Sequence, residues 1–261
     1  MDKRTSEMVA KVPQVTLLFW IIKILATTLG ETGGDAVTMS WLGETTAEAN
    51  GSGYLIGTAI FGVIFFVAVF VQIRAKNFHP FLYWLTIVAT TTVGTTLADY
   101  CTRSLGIGYT GGSAILLVLV IASLVIWRWS TGSISIDTVN TPKVEIFYWL
   151  TIMFSQTLGT ALGDWVADTN GMGYVGAAAV FGGLLLLTAI LYYATSISRA
   201  LLFWSAFILT RPLGAVVGDF LDKPIAQGGL HLSRYTASLG LLVVIVLLIV
   251  IFPQKPAVKA H

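Results

Sequence analysis

The stretch "YWLTIMFSQTLGTALGD" (148–164) decides the fold, because it ends an apolar run on an aspartate and the chain repeats it. The related stretches read "FWIIKILATTLGETGGD" (19–35), "YWLTIVATTTVGTTLAD" (83–99) and "FWSAFILTRPLGAVVGD" (203–219). Each copy has an aromatic residue, a tryptophan, nine residues, a glycine, three residues, a glycine or alanine, and then the aspartate. Self-similarity at a fixed spacing, with no gap inside any copy, predicts an internally repeated architecture.

The composition indicates a membrane protein. The chain has 261 residues, of which 56% are hydrophobic and 11% charged, whereas a soluble domain has about 25% charged residues. A helix that crosses a bilayer needs roughly 20 apolar residues. Eight stretches meet this need, at approximately 14–40, 52–73, 80–102, 107–128, 144–167, 173–195, 200–221 and 235–252. We therefore predict an all-α integral membrane protein with eight transmembrane helices.

The eight helices divide into four units of two. The second helix of the first three units begins at a similar turn, "GSGY" (51–54), "GIGY" (106–109) or "GMGY" (171–174), and the fourth has only "SRY" (233–235). Because each unit contains two spans, successive units keep the same orientation, which predicts parallel repeats in a pseudo-fourfold arrangement about the membrane normal. The predicted segments of this one membrane domain are a cytoplasmic leader (1–13), repeats at 14–76, 77–130, 142–197 and 198–253, and a cytoplasmic tail (254–261).

Basic residues predict the orientation, since Lys and Arg are enriched on the cytoplasmic side. With eight spans, the side of the termini holds ten of them and the other side holds three, namely Arg103, Lys223 and Arg234. The ten are Lys3, Arg4, Lys11, Arg74, Lys76, Arg128, Lys143, Arg199, Lys255 and Lys259. Both termini are predicted to be cytoplasmic, in a multi-pass protein without a cleavable signal peptide.

Four tandem two-helix repeats, each with a tryptophan, resemble a family of bacterial integral membrane proteins built from four copies of a repeat of unknown function. The resemblance covers roughly residues 15–253 and rests on the stretches quoted above. It implies the architecture and a place in the bacterial cytoplasmic (inner) membrane. It implies no biochemistry, so a functional hypothesis has to come from the residues.

Each repeated helix carries a polar stripe, because residues four apart share one helix face. Counting back from the aspartates gives Lys23, Thr27, Glu31 and Asp35; Thr91, Thr95 and Asp99; Gln156, Thr160 and Asp164; and Arg211, Ala215 and Asp219. In lipid such a stripe has to face the bundle interior or a water-filled cavity. The four aspartates are then expected at one depth around an axis, and rings of carboxylates attract and select cations.

These stripes predict transport of a cation across the membrane. The predicted cation-binding groups, and metal ligands if the cation is a metal, are Glu31, Asp35, Asp99, Asp164 and Asp219, with Thr27, Thr91, Thr95, Gln156 and Thr160 as secondary ligands. Lys23 and Arg211 are interpreted as charge-balancing or gating groups. The spans hold five acids against two bases, a deficit that a divalent cation would largely offset. Oxygen ligands favour Mn, Mg or Ca, and a proton is the other candidate.

Helix packing is the competing interpretation. The glycine or alanine four residues after each repeated glycine makes a small-xxx-small pattern, which lets helix backbones approach closely. Trp20, Trp84, Trp149 and Trp204 fit the role of membrane-interface anchors. On this hypothesis the protein is a non-transporting membrane scaffold or a sensor subunit.

Other classes of protein fit the sequence poorly. There is no phosphate-binding or dinucleotide-binding glycine motif, and no basic patch with interleaved aromatics for nucleic acid. Intramembrane aspartyl proteases use Gly-Asp motifs, but they need one coupled carboxylate pair, whereas this chain repeats the motif four times. Three histidines in loops or the tail and a single cysteine exclude a soft-metal cluster. The predicted partners are the lipid bilayer and a small cation, and a homo-oligomer remains open.

Overall fold

The structure is a computed structural model that describes residues 10–169 and 171–257. The predicted leader (1–13) up to residue 9 and the predicted tail (254–261) from residue 258 lie outside this part of the chain. Eight long helices form the described part, which contains no strand. They are α1 (Leu17–Asp35), α2 (Ser52–Arg74), α3 (Pro80–Asp99), α4 (Gly108–Thr131), α5 (Pro142–Asp164), α6 (Gly173–Ala194), α7 (Arg199–Asp222) and α8 (Arg234–Ile251).

Seven of the eight helices are long and apolar enough to cross a membrane. The exception is α5, which has the length but carries Lys143 and Glu145 in its first turn and Gln156 in its middle. Much of α5, including Glu145 and Gln156, is buried against other helices. The all-helical prediction is confirmed, and the prediction of eight apolar spans is matched by seven.

Local sequence accounts for several helix ends. Proline begins α3 and α5, where its missing N–H and fixed φ suit the first helical position. After their aspartates, α1, α3 and α5 continue as π-helical turns, at Ala36–Trp41, Tyr100–Ser104 and Trp165–Thr169. The turns before α4 and α6 place both glycines at positive φ, a conformation that glycine adopts at little cost. The Gly-x-Gly-Tyr motifs in these two copies are therefore structural.

The first helices of the four repeats form a closed ring. Helix α1 packs against α3 and α7, and α5 packs against the same two helices. The second helices lie outside this ring, where α2 packs on α3, α4 on α5, α6 on α7, and α8 on α1. Each outer helix therefore packs on the ring helix of the next repeat, and the last repeat closes onto the first.

The repeated glycines set the close approach within the ring. A Cβ added at Gly30, Gly159 or Gly214 would overlap the stripe residue of the neighbouring ring helix, and one added at Gly94 would crowd the Cβ of Gln156 at 3.0 Å. The pairs are Gly30 with Thr91, Gly94 with Gln156, Gly159 with Arg211, and Gly214 with Thr27. Because all four pairs involve the same repeat positions and run in one direction around the ring, Thr27, Thr91, Gln156 and Arg211 share one level of the bundle.

An aromatic cluster fills the ring at the end opposite the aspartates. Phe19, Tyr83, Tyr148 and Phe203 occupy equivalent repeat positions and are buried. The Tyr83 and Tyr148 hydroxyl oxygens are 2.6 Å apart and share a hydrogen bond. These rings pack at steep angles to the neighbouring tryptophans, the geometry that ring quadrupoles favour.

The prediction of four tryptophan anchors at the membrane interface needs correction. Trp84, Trp149 and Trp204 are core residues, at most 2% exposed, and Trp20 is half-buried. Two of them find partners inside the protein: the Trp84 Nε1 donates to Gln254 at 2.8 Å and the Trp204 Nε1 donates to the Ile134 carbonyl at 3.0 Å. Burial of the large ring, with an internal acceptor for the N–H, stabilises the bundle instead.

Candidate functional site

The four repeated aspartates are buried at one end of the ring, in pairs that share a basic residue. Arg103 bridges the first pair, with its Nε 2.8 Å from Asp99 and its Nη2 3.3 Å from Asp164. Lys223 bridges the second pair, with its Nζ 3.0 Å from Asp219 and in contact with Asp35. We call Asp35, Asp99, Asp164 and Asp219 the aspartate level.

The two basic residues alternate along the repeats. The position four residues after the aspartate holds Met39, Arg103, Asp168 and Lys223 in repeats one to four. The second and fourth repeats therefore supply the cations, and each cation joins its own aspartate to that of a neighbouring ring helix. From the sequence alone, Arg103 and Lys223 are expected on the outer side, just after the apolar stretches 80–102 and 200–221. Their spacing of four from Asp99 and Asp219 was the signal that could have found them.

A second acidic residue of the last repeat joins the same end. Asp222 is buried, and its carboxylate lies 3.0 Å from Nε of Arg234, which begins α8. The same nitrogen is 4.0 Å from Asp35. Burial alone would lower the pKa of Lys223, but Asp219, Asp35 and Asp222 more than offset this, so the pKa lies well above its usual value. These carboxylates therefore favour the charged form of Lys223.

The Arg211 guanidinium fills the next level of the ring, one turn inside the aspartates, although the residue itself lies two turns inside. Its Nη2 donates to Glu31 at 2.8 Å, to the Thr95 hydroxyl at 2.5 Å and to the Thr160 hydroxyl. Its own helix has only Ala215 at that level, so the long arginine side chain of α7 reaches the polar groups of α1, α3 and α5. The fully buried guanidinium is tolerated because its Nη2 has a carboxylate and two hydroxyls as partners.

Carboxylates from different ring helices converge at this end. Glu31, Asp164 and Asp219 each offer an oxygen within 4.8 Å of the other two, and so do Asp35, Asp219 and Asp222. Oxygens bound to one Ca²⁺ at about 2.3–2.6 Å lie up to about 5 Å apart, so either triad has the spacing of a cation site. Asp219 belongs to both triads. Asp99 belongs to neither, and Arg103 alone ties it to Asp164.

The predicted secondary ligands are all buried, but their roles differ. Thr95 and Thr160 hydrogen-bond with Arg211, and the Thr27 hydroxyl donates to the Lys23 and Ile24 carbonyls of its own helix. In the described part of the chain, the Thr91 hydroxyl and both amide atoms of Gln156 have no hydrogen-bond partner. The structure therefore places Thr95 and Thr160 next to the carboxylates and leaves Thr91 and Gln156 one turn further inside.

The charge balance at this end is closer to neutral than the sequence suggested. Six buried acids face four bases within the described residues, a formal charge of −2, whereas the sequence suggested −3. The acids are Glu31, Asp35, Asp99, Asp164, Asp219 and Asp222, and the bases are Arg103, Arg211, Lys223 and Arg234. Basic side chains of the protein thus offset four of the six carboxylates.

Repeated two-helix units, with helices of the length and composition of membrane spans, define a multi-pass membrane protein with internal repeats. The chain belongs to the family described as Repeat of Unknown Function (DUF347), whose model matches residues 18–78, 82–133, 147–198 and 202–253. The resemblance to a family of tandem repeats of unknown function is confirmed. No curated protein and no solved structure matches the chain.

Proposed function

We propose that the protein moves a cation across the membrane, with a hard divalent ion such as Mn, Mg or Ca favoured and a proton as the other candidate. The observation that carries this proposal is the convergence of Glu31, Asp164 and Asp219, from three helices, with oxygens within 4.8 Å of one another. Carboxylates that lie this close together while buried raise the free energy of the folded protein. Ionisable residues in membrane spans are therefore functional candidates by default, typically for an ion pathway. Ligands that are all oxygen suit hard cations.

The basic side chains at the aspartate level favour a carrier, in which the transported cation and a basic side chain exchange places, over an open pore. Arg103 and Lys223 each lie between two aspartates, where an incoming cation would have to bind. A cation that binds the carboxylates therefore displaces a basic side chain, and the side chain returns when the cation leaves. Arg211 and the aromatic cluster occupy the ring further inside, so passage requires a conformational change of the kind that carriers undergo.

The proposed setting is the bacterial cytoplasmic membrane, with eight spans around a pseudo-fourfold axis and both termini in the cytoplasm. Helix α5 is included as a span because it occupies the same ring position as α1, α3 and α7. The basic residues support the orientation. Arg103, Lys223 and Arg234, the three assigned to the outer side, pair with buried acids, so the unpaired basic residues concentrate on the side of the termini.

The test is cation flux into liposomes that contain the purified protein, read with an entrapped dye that responds to Mn²⁺. Asp219→Asn removes the residue common to both triads, and Asp168→Asn changes an exposed acid near the same end. We expect saturable Mn²⁺ uptake by the wild type and by Asp168→Asn, and at least a tenfold loss with Asp219→Asn. Uptake that is equal in all three, or absent from all of them for every cation tried, would overturn the proposal.

The second candidate is a non-transporting scaffold or sensor subunit, and the pairing of all four aspartates with basic residues favours it. In that case the ion pairs only hold the ring together. A scaffold would lose stability when an ion pair of the ring is broken, but it would show neither cation binding nor cation uptake. The flux experiment and the stability predictions in the Discussion therefore separate the two functions.

A further inference from the structure

Lys23 is a buried basic residue without a counter-ion. Its side chain is on α1, fully buried, and its Nζ has no hydrogen-bond partner among residues 10–169 and 171–257. No carboxylate in that part of the chain lies within ion-pair distance of it, and its Nζ lies over the Phe207 ring, 4.2 Å from the ring centroid. Buried ammonium groups are normally paired, since burial without a partner costs several kcal/mol or more.

Other unpartnered polar atoms lie on the adjacent turn of the ring. They are the Thr91 hydroxyl, both amide atoms of Gln156 and Nε of Arg211, on α3, α5 and α7. These three residues share the level at which each packs against the glycine of the preceding ring helix. On α1 the same repeat position holds Thr27, one turn from Lys23, so the four ring helices bring equivalent positions to this level.

The chemistry of these groups is that of an anion receptor. An ammonium has three donors, an amide NH₂ two, and a hydroxyl and a guanidinium Nε–H one each, whereas the acceptors are only the Gln156 oxygen and the Thr91 hydroxyl. Arg211 is bonded to the Glu31 carboxylate, whereas Lys23 has no ion pair in the described part of the chain. The level therefore has a surplus of hydrogen-bond donors, and a protonated Lys23 adds a positive charge that no carboxylate pairs.

We infer that Lys23, Thr91, Gln156 and Arg211 Nε bind a single small anion such as chloride in the middle of the ring. The ligand has to be the size of one atom, because the ring helices at this level are already in contact through Gly30, Gly94 and Gly159. This site is separate from the carboxylates of the proposed cation site and lies on the opposite side of the Arg211 guanidinium. The basic groups of the proposed anion site give the middle of the ring a positive charge, whereas the aspartate level has a net negative charge.

The experiment is equilibrium dialysis of ³⁶Cl⁻ against the full-length protein in detergent, with EDTA to remove divalent cations and gluconate to hold ionic strength constant. Lys23→Met removes the ammonium and keeps its length, and Lys76→Met is the matched control because Lys76 is exposed. We expect one saturable chloride per chain in the wild type and in Lys76→Met, and at least a tenfold loss of affinity in Lys23→Met. Bromide should compete, and sulfate should not.

A second variant keeps the inference testable if Lys23→Met does not fold. Thr91→Val removes one donor at nearly constant volume, and we expect it to weaken chloride binding severalfold while circular dichroism shows the helices intact. Absence of saturable binding in the wild type would mean that the Lys23 amine is neutral, which overturns the inference. Binding that survives unchanged in a folded Lys23→Met or in Thr91→Val overturns it as well. None of these outcomes depends on cation transport.

Discussion

The Arg211 guanidinium on α7 donates from Nη2 to the Glu31 carboxylate on α1 at 2.8 Å, and so joins the last repeat to the first. Both side chains are buried. The contact is one of the links that close the ring, and it lies directly beneath the aspartate level. Its removal should therefore affect stability and the candidate site together.

Arg211→Met should destabilise the protein strongly, because it leaves the Glu31 carboxylate buried without its partner. Breaking one side of a buried pair costs about 3–5 kcal/mol. The measurement is the free energy of unfolding by SDS titration in mixed micelles, with helicity followed by circular dichroism.

A double-mutant cycle separates the pair from simple loss of packing. Glu31→Gln combined with Arg211→Met should cost clearly less than the sum of the two single variants, since no charge is then left alone. If the two effects simply add, Arg211 and Glu31 are not coupled and the described contact does not stabilise the ring.

Gly159→Ala should disrupt the ring at the contact between α5 and α7. The added Cβ would overlap the Arg211 side chain next to its backbone, where the chain has little freedom to move. Overpacking of this kind costs about 1–3 kcal/mol. The same SDS titration measures it.

Gly182→Ala is the matched control, because nothing lies within 4 Å of a Cβ added at Gly182 on α6. Alanine is favoured over glycine in a helix by about 1 kcal/mol, so this variant should be neutral or more stable. Equal destabilisation by both variants would contradict the packing of repeated glycines on the neighbouring stripe residues.

Arg103→Gln should raise the affinity for a divalent cation at least tenfold if the cation competes with the resident base. The variant frees Asp99 and Asp164 together, which adds one negative charge to the aspartate level. Titration of Mn²⁺ by calorimetry measures the effect. Arg128→Gln is the control, since Arg128 is exposed and its side chain donates to the Gly132 carbonyl at the end of α4. A fall in affinity in Arg103→Gln alone would argue against exchange.

Tyr83→Phe should lower the free energy of unfolding by about 0.5–1.5 kcal/mol, the usual net value of one hydrogen bond. The lost bond is the 2.6 Å contact with Tyr148 inside the aromatic cluster. Tyr193→Phe is the control, because that ring is 87% exposed, and it should have no measurable effect. Equal stability of the two variants would mean that the tyrosine pair contributes nothing.

Much of the fold follows from periodic patterns that a single sequence contains. The apolar stretches and the repeat quoted from residues 148–164 predicted all eight helices. For example, α3 begins at the predicted residue, α5 begins two residues before the predicted one, and both end three residues before the predicted end. Glu31, Thr95 and Thr160 each lie four residues before a repeated aspartate, which predicts them on the inward face of their helix. The structure has them there, in contact with Arg211. These features were predictable because they depend on the geometry of one helix at a time.

The partners across helices were not predictable in the same way. Which residue Arg211 meets depends on the order and rotation of the ring helices, which no local pattern encodes. Asp222, Arg103 and Lys223 all follow the repeated aspartates, where the apolar runs end, so the apolar pattern predicts them in loops and not among buried ion pairs. The tryptophans were misplaced for a related reason, since a ring near a helix end fits the interface and the core equally well until its neighbours are known.

Calorimetric titration of Mn²⁺, Mg²⁺ and Ca²⁺ into the purified wild type, Asp168→Asn, and the double variant Asp164→Asn with Asp219→Asn tests the central claim most directly. The account predicts saturable binding of at least one cation to the wild type and to Asp168→Asn, and its loss in a double variant that keeps its helices. Absence of binding to the wild type, together with a double variant that unfolds more easily, would contradict the account and leave the carboxylates as elements of helix packing.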